Sequence, residues 1–338
     1  MTTVEMPQAP APVPPPQPQK RRWGRTLILT LLTLAVLGVF GAIGAVLWTD
    51  SKIDKIPEEE MQSLQPVETG IRNILIVGTD SREDLPDDFE GKFGDFSGAR
   101  TDVIMVAHIN GGRAQLLSLP RDLKVDIPGH GTNKINAAYV FGGPDLLVET
   151  VQQNLDIPIN NYMEIDFFGF ANVVDAMGGV TLTFDNPARD LKSGLDVPAG
   201  TITLSGPQAL AYARSRSYQE LQGGEWVSVS GGDISRTQRQ QELLLTMFSQ
   251  AASPGNAFNL PGFISTFAEQ ITADAGMSVP VLIELGTSAL TLRGTEIEAR
   301  TLPVAISNEG GVSYVVQTDA APTVLAAFAT GAPFPVEG

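Results

Sequence analysis

The 338-residue chain has no cysteine and only two histidines, His108 and His130. Without cysteine there are no disulfides, no thiolate nucleophile and no cysteine-ligated metal, so the fold rests on packing. His108 falls inside an apolar, strand-like run and reads as a packed residue, and His130 sits in a Gly-rich turn. The chain also lacks a G-x-S-x-G elbow, an H-E-x-x-H pair and a G-x-x-x-x-G-K-[ST] loop, which argues against serine-triad, zinc-hydrolase and Walker-type chemistry. Basic residues are scarce too: 22 Lys and Arg stand against 38 Asp and Glu, for a net charge of −16. No basic stripe offsets that field, so nucleic acid is not an expected partner.

Charge is absent altogether between residues 27 and 48, a run whose helical length, about 33 Å, matches a bilayer hydrocarbon core. Lys20, Arg21, Arg22 and Arg25 precede it and Asp50 follows. The positive-inside rule then predicts an uncleaved single-pass anchor in the cell membrane, with a cytoplasmic N-terminus and an extracytoplasmic remainder. The chain divides into a Pro-rich, extended cytoplasmic arm (residues 1–26), a transmembrane helix (27–48), an extracytoplasmic stalk (49–71) and a catalytic domain (72–338). Pro57, Pro66 and the Glu58-Glu59-Glu60 run suggest the stalk.

Within the domain, residues 74–77 form a continuous apolar run that ends in Gly78 and suits a strand buried on both faces. Residues 103–109 and 115–119 read as two more strands, joined through Asn110-Gly111, a strong hairpin signal. Residues 81–99, acidic and Gly-rich, predict a flexible loop, either a lid or a solvated insertion. Helical spacing follows over 144–154 and 167–177, the second stopped by Gly178-Gly179 before a strand over 180–184. Ser205 reads as the N-cap of a helix to about Arg214. Further helices are predicted over 233–250, 260–271 and 279–292. Alternating helix and strand argue for a layered α/β fold.

What remains for chemistry is carboxylate and guanidinium. Seven of the twelve arginines after residue 50, namely Arg82, Arg100, Arg121, Arg214, Arg216, Arg236 and Arg239, lie in five short stretches. Clustered arginine in an acidic domain calls for an anion, and its planar fork grips phosphate oxygens in pairs. Asp80 ends one predicted strand and Asp102 starts the next, and two carboxylates with phosphate oxygens and waters suit magnesium. Arg236 and Gln240, one turn apart, share a helix face.

Taken in order, G-T-D-S-R from Gly78, R-T-D from Arg100, L-P-R-D from Leu119, K-I-N-A-A-Y from Lys134, D-A-M-G-G-V from Asp175, A-L-A-Y-A-R-S-R from Ala209 and R-T-Q-R-Q from Arg236 resemble the LytR-CpsA-Psr family. That resemblance implies an α/β fold of α-β-α layers. A central mixed sheet is flanked by helices, with an apolar pocket for a polyprenyl chain and one N-terminal transmembrane helix. It implies a magnesium-dependent phosphotransferase that moves a glycopolymer from a polyprenyl-pyrophosphate carrier to peptidoglycan. Asp80 and Asp102 would hold Mg2+. Arg100, Arg121, Arg214, Arg216 and Arg236 would bind the pyrophosphate with Gln240 beside them, and Arg82, Arg239 and Lys134 join them as candidates. Arg121, Arg236 and Asp233 are the catalytic candidates, Asp233 as the group that activates the acceptor hydroxyl. The long insert between Asp80 and Arg100 departs from the family pattern. A pyrophosphatase using water as acceptor and a non-catalytic lipid or cell-wall binding protein remain as alternatives. A transcriptional attenuator is disfavoured, because the Pro-rich arm leaves no room for a helix-turn-helix.

Overall fold

A computed structural model describes residues 46–67, 70–80, 101–110, 113–229, 232–251, 260–282 and 297–335. The predicted arm, the loop over 81–99 and all but the last three residues of the apolar run 27–48 lie outside them. Among the described residues no helix is long and apolar enough to cross a membrane.

The elements run β1 (Asp54–Ile56), β2 (Ile71–Thr79), β3 (Thr101–Asn110), β4 (Arg113–Ser118), β5 (Lys124–Ile127), β6 (Gly131–Lys134), α1 (Ile135–Leu155), β7 (Asn161–Asp166), α2 (Phe167–Ala176) and β8 (Val180–Phe184). Then follow β9 (Ala188–Asp190), β10 (Leu195–Val197), β11 (Gly200–Leu204), α3 (Gly206–Arg214), β12 (Gln219–Gln222), β13 (Glu225–Ser228), α4 (Gly232–Ala251), α5 (Leu260–Glu269), β14 (Ile271–Asp274), β15 (Glu298–Thr301), β16 (Val304–Glu309), β17 (Val312–Gln317) and α6 (Ala321–Thr330).

Seven strands form one mixed sheet in the order β1-β14-β7-β2-β3-β4-β15. Strand β2 runs antiparallel to β3 and parallel to β7, which makes it central and explains its unbroken apolar run. Leu75 and Val77 face a core shared with α1 and α6, while Ile74 and Ile76 face the opposite side, where Ile264 and Ala268 of α5 pack. Helices therefore cover both faces, as the layered expectation required. A third apolar cluster joins β8, α2, α3 and α4 beside the sheet.

Strands β3 and β4 form the expected hairpin, with Asn110 opposite Arg113. The predicted helix over 144–154 is the second half of a longer one: α1 starts at Ile135 and kinks at Gly142 and Gly143 ahead of Pro144. The helix expected over 260–271 ends at Glu269, because Ile271–Asp274 pairs with both β1 and β7. Of the helix expected over 279–292, residues 279–282 are helical and the rest lie outside the described residues.

The predicted stalk is corrected. Residues 49–67 belong to the domain: β1 adds to the sheet beside β14, and Ile53 and Met61 are buried in two different cores. Gln65 N donates to Ile159 O at 2.8 Å and Ser63 N to Asp145 Oδ1 at 2.8 Å. Pro and Glu suggested an exposed spacer, but the apolar residues between them are what decide its placement.

The D-A-M-G-G-V run is a junction of α2, β8 and α3. Gly179 has φ +93° and lies where a side chain would meet Leu204 O at 2.7 Å. Asp175 Oδ1 accepts from Gly206 N at 2.7 Å, capping α3, and Ser205 N donates to Gln208 Oε1 at 3.0 Å. Gly206 is pressed so closely on α2 that a Cβ would sit 2.2 Å from Ala171 O. We expect Gly206→Ala to cost about 3 kcal/mol, the upper range for overpacking, since backbone cannot yield as a side chain can. A denaturant melt against wild type checks it; an unchanged midpoint would contradict this packing.

Candidate active site

The L-P-R-D turn connects β4 to β5. Leu119 N donates to Ile104 O at 2.8 Å, and Leu123 N closes the turn on Pro120 O at 2.9 Å. Arg121 O accepts from Asn136 N at 3.2 Å, so the K-I-N-A-A-Y segment starts α1 on this turn. From outside, Val315 N of β17 donates to Asp122 O at 3.0 Å. Gln241 of α4 donates to Ser118 Oγ at 2.8 Å and Thr301 Oγ1 at 3.2 Å, tying α4 to the ends of β4 and β15. Arg121 therefore projects from a turn held by four elements.

Thr79 pairs with Thr101, so Asp80 and Asp102 sit at adjoining ends of neighbouring strands. Both line one cavity of about 410 Å³ with Arg121, Arg214, Arg216, Arg236 and Gln240. Arg121 Nη1 donates to Asp102 Oδ1, and Arg216 Nη2 lies 3.6 Å from the same oxygen. Arg121 Nε is 3.5 Å from Asp122 Oδ2, while Lys134 Nζ is 2.8 Å from Asp122 Oδ1. Burial pushes the Asp122 carboxyl up, but the Lys134 hydrogen bond and the charges of Arg121, Lys134 and Arg236 outweigh it and hold the group below its ordinary range.

Helices α3 and α4 form one wall. Gln240 Nε2 donates to Ala213 O at 3.1 Å, Tyr212 OH to Glu242 Oε2 at 2.7 Å, and Arg239 Nη2 to Ser215 O. Partner numbers rise along α3 as they fall along α4, so the helices are antiparallel. The cavity consequently has two ends: Leu210 with Leu243 and Leu244 at one, Arg214 and Arg216 with Arg236 at the other. Ile76, Val103, Ile165, Phe167 and Phe170 extend the apolar wall, and the Arg214 guanidinium carbon lies 4.8 Å from the Phe167 ring centre.

Two candidates stand behind the lining rather than in it. Arg239 is buried against Tyr218, its guanidinium carbon 4.9 Å from that ring, and holds Ser215 O between Arg214 and Arg216. Burial draws its pKa below the usual arginine value. Lys134 is engaged with Asp122. Neither residue is among those that line the cavity. Arg82, Arg100 and the side chain of Asp233 lie outside the described residues; the backbone of Asp233 is in the first turn of α4.

Sequence reasoning missed Asp190, which lines the cavity and is 1 % exposed. Its Oδ1 accepts from Lys192 N at 2.9 Å and Ser193 N at 3.4 Å. Its Oδ2 accepts from Ser215 Oγ at 2.7 Å, Arg216 N at 3.0 Å and Ser217 N at 2.7 Å. Burial raises this carboxyl, yet the bonds from Ser215, Ser217, Lys192 and Ser193 together hold it below the ordinary range. Asp190 clamps the turn that carries Arg216 to the turn after β9. A lone Asp between Arg189 and Leu191 has no spacing signal; the Asp190-x-Lys192-Ser193 turn pattern was the available clue.

A probable cell wall biosynthesis protein, LcpB of Corynebacterium glutamicum, is 38 % identical over 282 residues, covering 81 % of this chain and 64 % of that protein. The chain thus spans a little under two thirds of that relative's length. A protein named polyisoprenyl-teichoic acid–peptidoglycan teichoic acid transferase TagU, of Oceanobacillus iheyensis, is 29 % identical and covers 73 % of this chain and 71 % of its own. Among solved structures, a LytR-Csp2A-Psr enzyme from Actinomyces oris superposes with a TM-score of 0.66 at 27 % identity, covering 82 % of this chain and 96 % of that one. TagT bound to LIIa-WTA superposes with a TM-score of 0.59 at 25 % identity, over 79 % and 93 % of the two chains. Residues 45–328 match the LytR_cpsA_psr family, and the chain belongs to it.

Proposed function

We propose that this protein transfers a glycopolymer from a polyprenyl-pyrophosphate carrier to peptidoglycan, as an Mg2+-dependent phosphotransferase anchored in the cell membrane with its domain extracytoplasmic. The observation that carries the reading is a single cavity that is apolar at one end and arginine-lined at the other, a shape suited to a lipid pyrophosphate. The relatives named as transferases that join teichoic acid to peptidoglycan support it. The apolar run and its basic flank support the topology.

A sugar hydroxyl of the wall attacks the glycan-linked phosphorus, a new P–O bond forms, and the bond to the bridging oxygen breaks to release polyprenyl phosphate. The hydroxyl proton passes to a carboxylate, for which Asp233 is the proposed acceptor. Arg121, Arg214, Arg216 and Arg236 offset charge on the non-bridging and leaving oxygens, so catalysis is largely positioning and electrostatics. Asp80 and Asp102 fit magnesium as two hard oxygen ligands at one rim, and no group of three or more His, Asp or Glu among the described residues competes for the ion. When bound, Mg2+ would neutralise phosphate oxygens. Arg121 holds Asp102 in this structure, so donor binding exchanges that carboxylate for phosphate.

Incubating the purified full-length protein with a polyprenyl-pyrophosphate glycan, peptidoglycan and Mg2+ should place glycan phosphate covalently on the wall and release lipid phosphate. Free glycan phosphate with no wall attachment would instead establish a pyrophosphatase. Binding without turnover would establish a non-catalytic lipid-binding protein.

A further inference from the structure

The two-ended cavity leaves one part of its rim without an assigned ligand group. Moving along antiparallel α3 and α4, the lining passes from leucines to arginines. Past the arginines it reaches the turn after β9, where Lys192 and Ser193 line the cavity. Lys192 is exposed at this rim. The Ser193 hydroxyl is buried and has no hydrogen-bond partner among the described residues, although its backbone N–H is used by Asp190. An orphaned buried hydroxyl is unfavourable until a ligand supplies an acceptor. Asp190 sets the spacing, since one carboxylate holds both this turn and the Arg216 turn.

We infer that the Lys192–Ser193 turn receives the carrier-proximal sugar of the donor. The reasoning rests on the lipid-pyrophosphate reading above: lipid occupies the leucine end, pyrophosphate the arginines, and the group bonded beyond the second phosphate must leave past the next lining residues. A compact ammonium and a hydroxyl suit sugar hydroxyl and acetamido oxygens, whereas they lack the bidentate fork that the phosphate positions carry. Lys192 and Ser193 are therefore determinants of which glycan is accepted.

The test measures, on the full-length protein in detergent, the affinity ratio between polyprenyl pyrophosphate carrying one N-acetylhexosamine and the same carrier without sugar. Wild type should prefer the sugar-bearing carrier, and Lys192→Ala should reduce that preference roughly tenfold, the scale of one charge-assisted hydrogen bond. Ser193→Ala should reduce it less. Arg121→Ala should weaken both ligands together and keep the ratio. An unchanged ratio in Lys192→Ala, or equal weakening of both carriers, overturns the assignment. If wild type binds neither carrier, the donor reading fails, and this inference with it.

Discussion

Arg121→Ala will cut polymer transfer by roughly two to three orders of magnitude while the domain stays folded. The two carboxylates that Arg121 contacts each keep another cation: Asp102 has Arg216 Nη2 at 3.6 Å and Asp122 has Lys134 Nζ at 2.8 Å. No buried charge is stranded, so the stability change should remain near that of a partly exposed ion pair, about 1 kcal/mol or less. On the proposed mechanism the reaction loses a donor to phosphate oxygen, a loss of roughly 10²–10³ in rate by analogy with oxyanion donors. Arg121→Lys should recover little, because an ammonium cannot replace the planar fork. Steady-state transfer and a thermal melt check both halves. A fully active Arg121→Ala enzyme would remove Arg121 from the site.

The second large effect should come from Asp190→Ala, and here fold and activity fall together. Removing the carboxylate strands four backbone N–H groups and the Ser215 hydroxyl in a site 1 % exposed. The expected cost is about 3–5 kcal/mol, the range for removing one partner of a buried charge. Asp190→Asn is more informative, because its single carbonyl oxygen can serve one turn while its amide faces the donors of the other. The folded-state pKa of Asp190 is depressed, so its contribution is complete above the unfolded value of about 3.9 and is lost as pH falls through the folded value. Wild type should therefore lose stability below about pH 4 more steeply than Asp190→Asn. Thermal melts between pH 3 and 7 show this as converging midpoints; parallel curves would mean that the carboxylate does not carry the clamp.

Why Arg121 was legible and Asp190 was not comes down to how each is used. Arg121, Asp80 and Asp102 stand at the ends of apolar strands, where hydrophobic run length alone puts them at one sheet edge. Asp190 works on backbone N–H groups that any sequence supplies, so its partners leave no residue pattern. Arg236 and Gln240 share a helix face, as their spacing predicts, and both line the cavity. Arg239 is only three positions from Arg236, but its turn around the helix axis directs it to Tyr212 and Tyr218. Residue type suggested phosphate there; the neighbours that the fold supplies, Tyr212, Tyr218 and Ser215 O, are distant in sequence. The small strands β9, β10, β12 and β13 escaped for a similar reason, being too short to show a period.

The insertion of β1 into the sheet also bears on how the chain folds. Asp54 pairs with Thr272 across a separation of 218 residues, and β4 acquires its outer neighbour β15 only from residues 298–301. During synthesis the β7 margin of the sheet stays unpaired until residues 271–274 are made, and the β4 margin until the chain has grown past residue 301. Such high contact order slows folding and leaves open strand edges at which nascent copies can associate. Early termination between β14 and β15 should then yield an aggregating product in place of a smaller working domain.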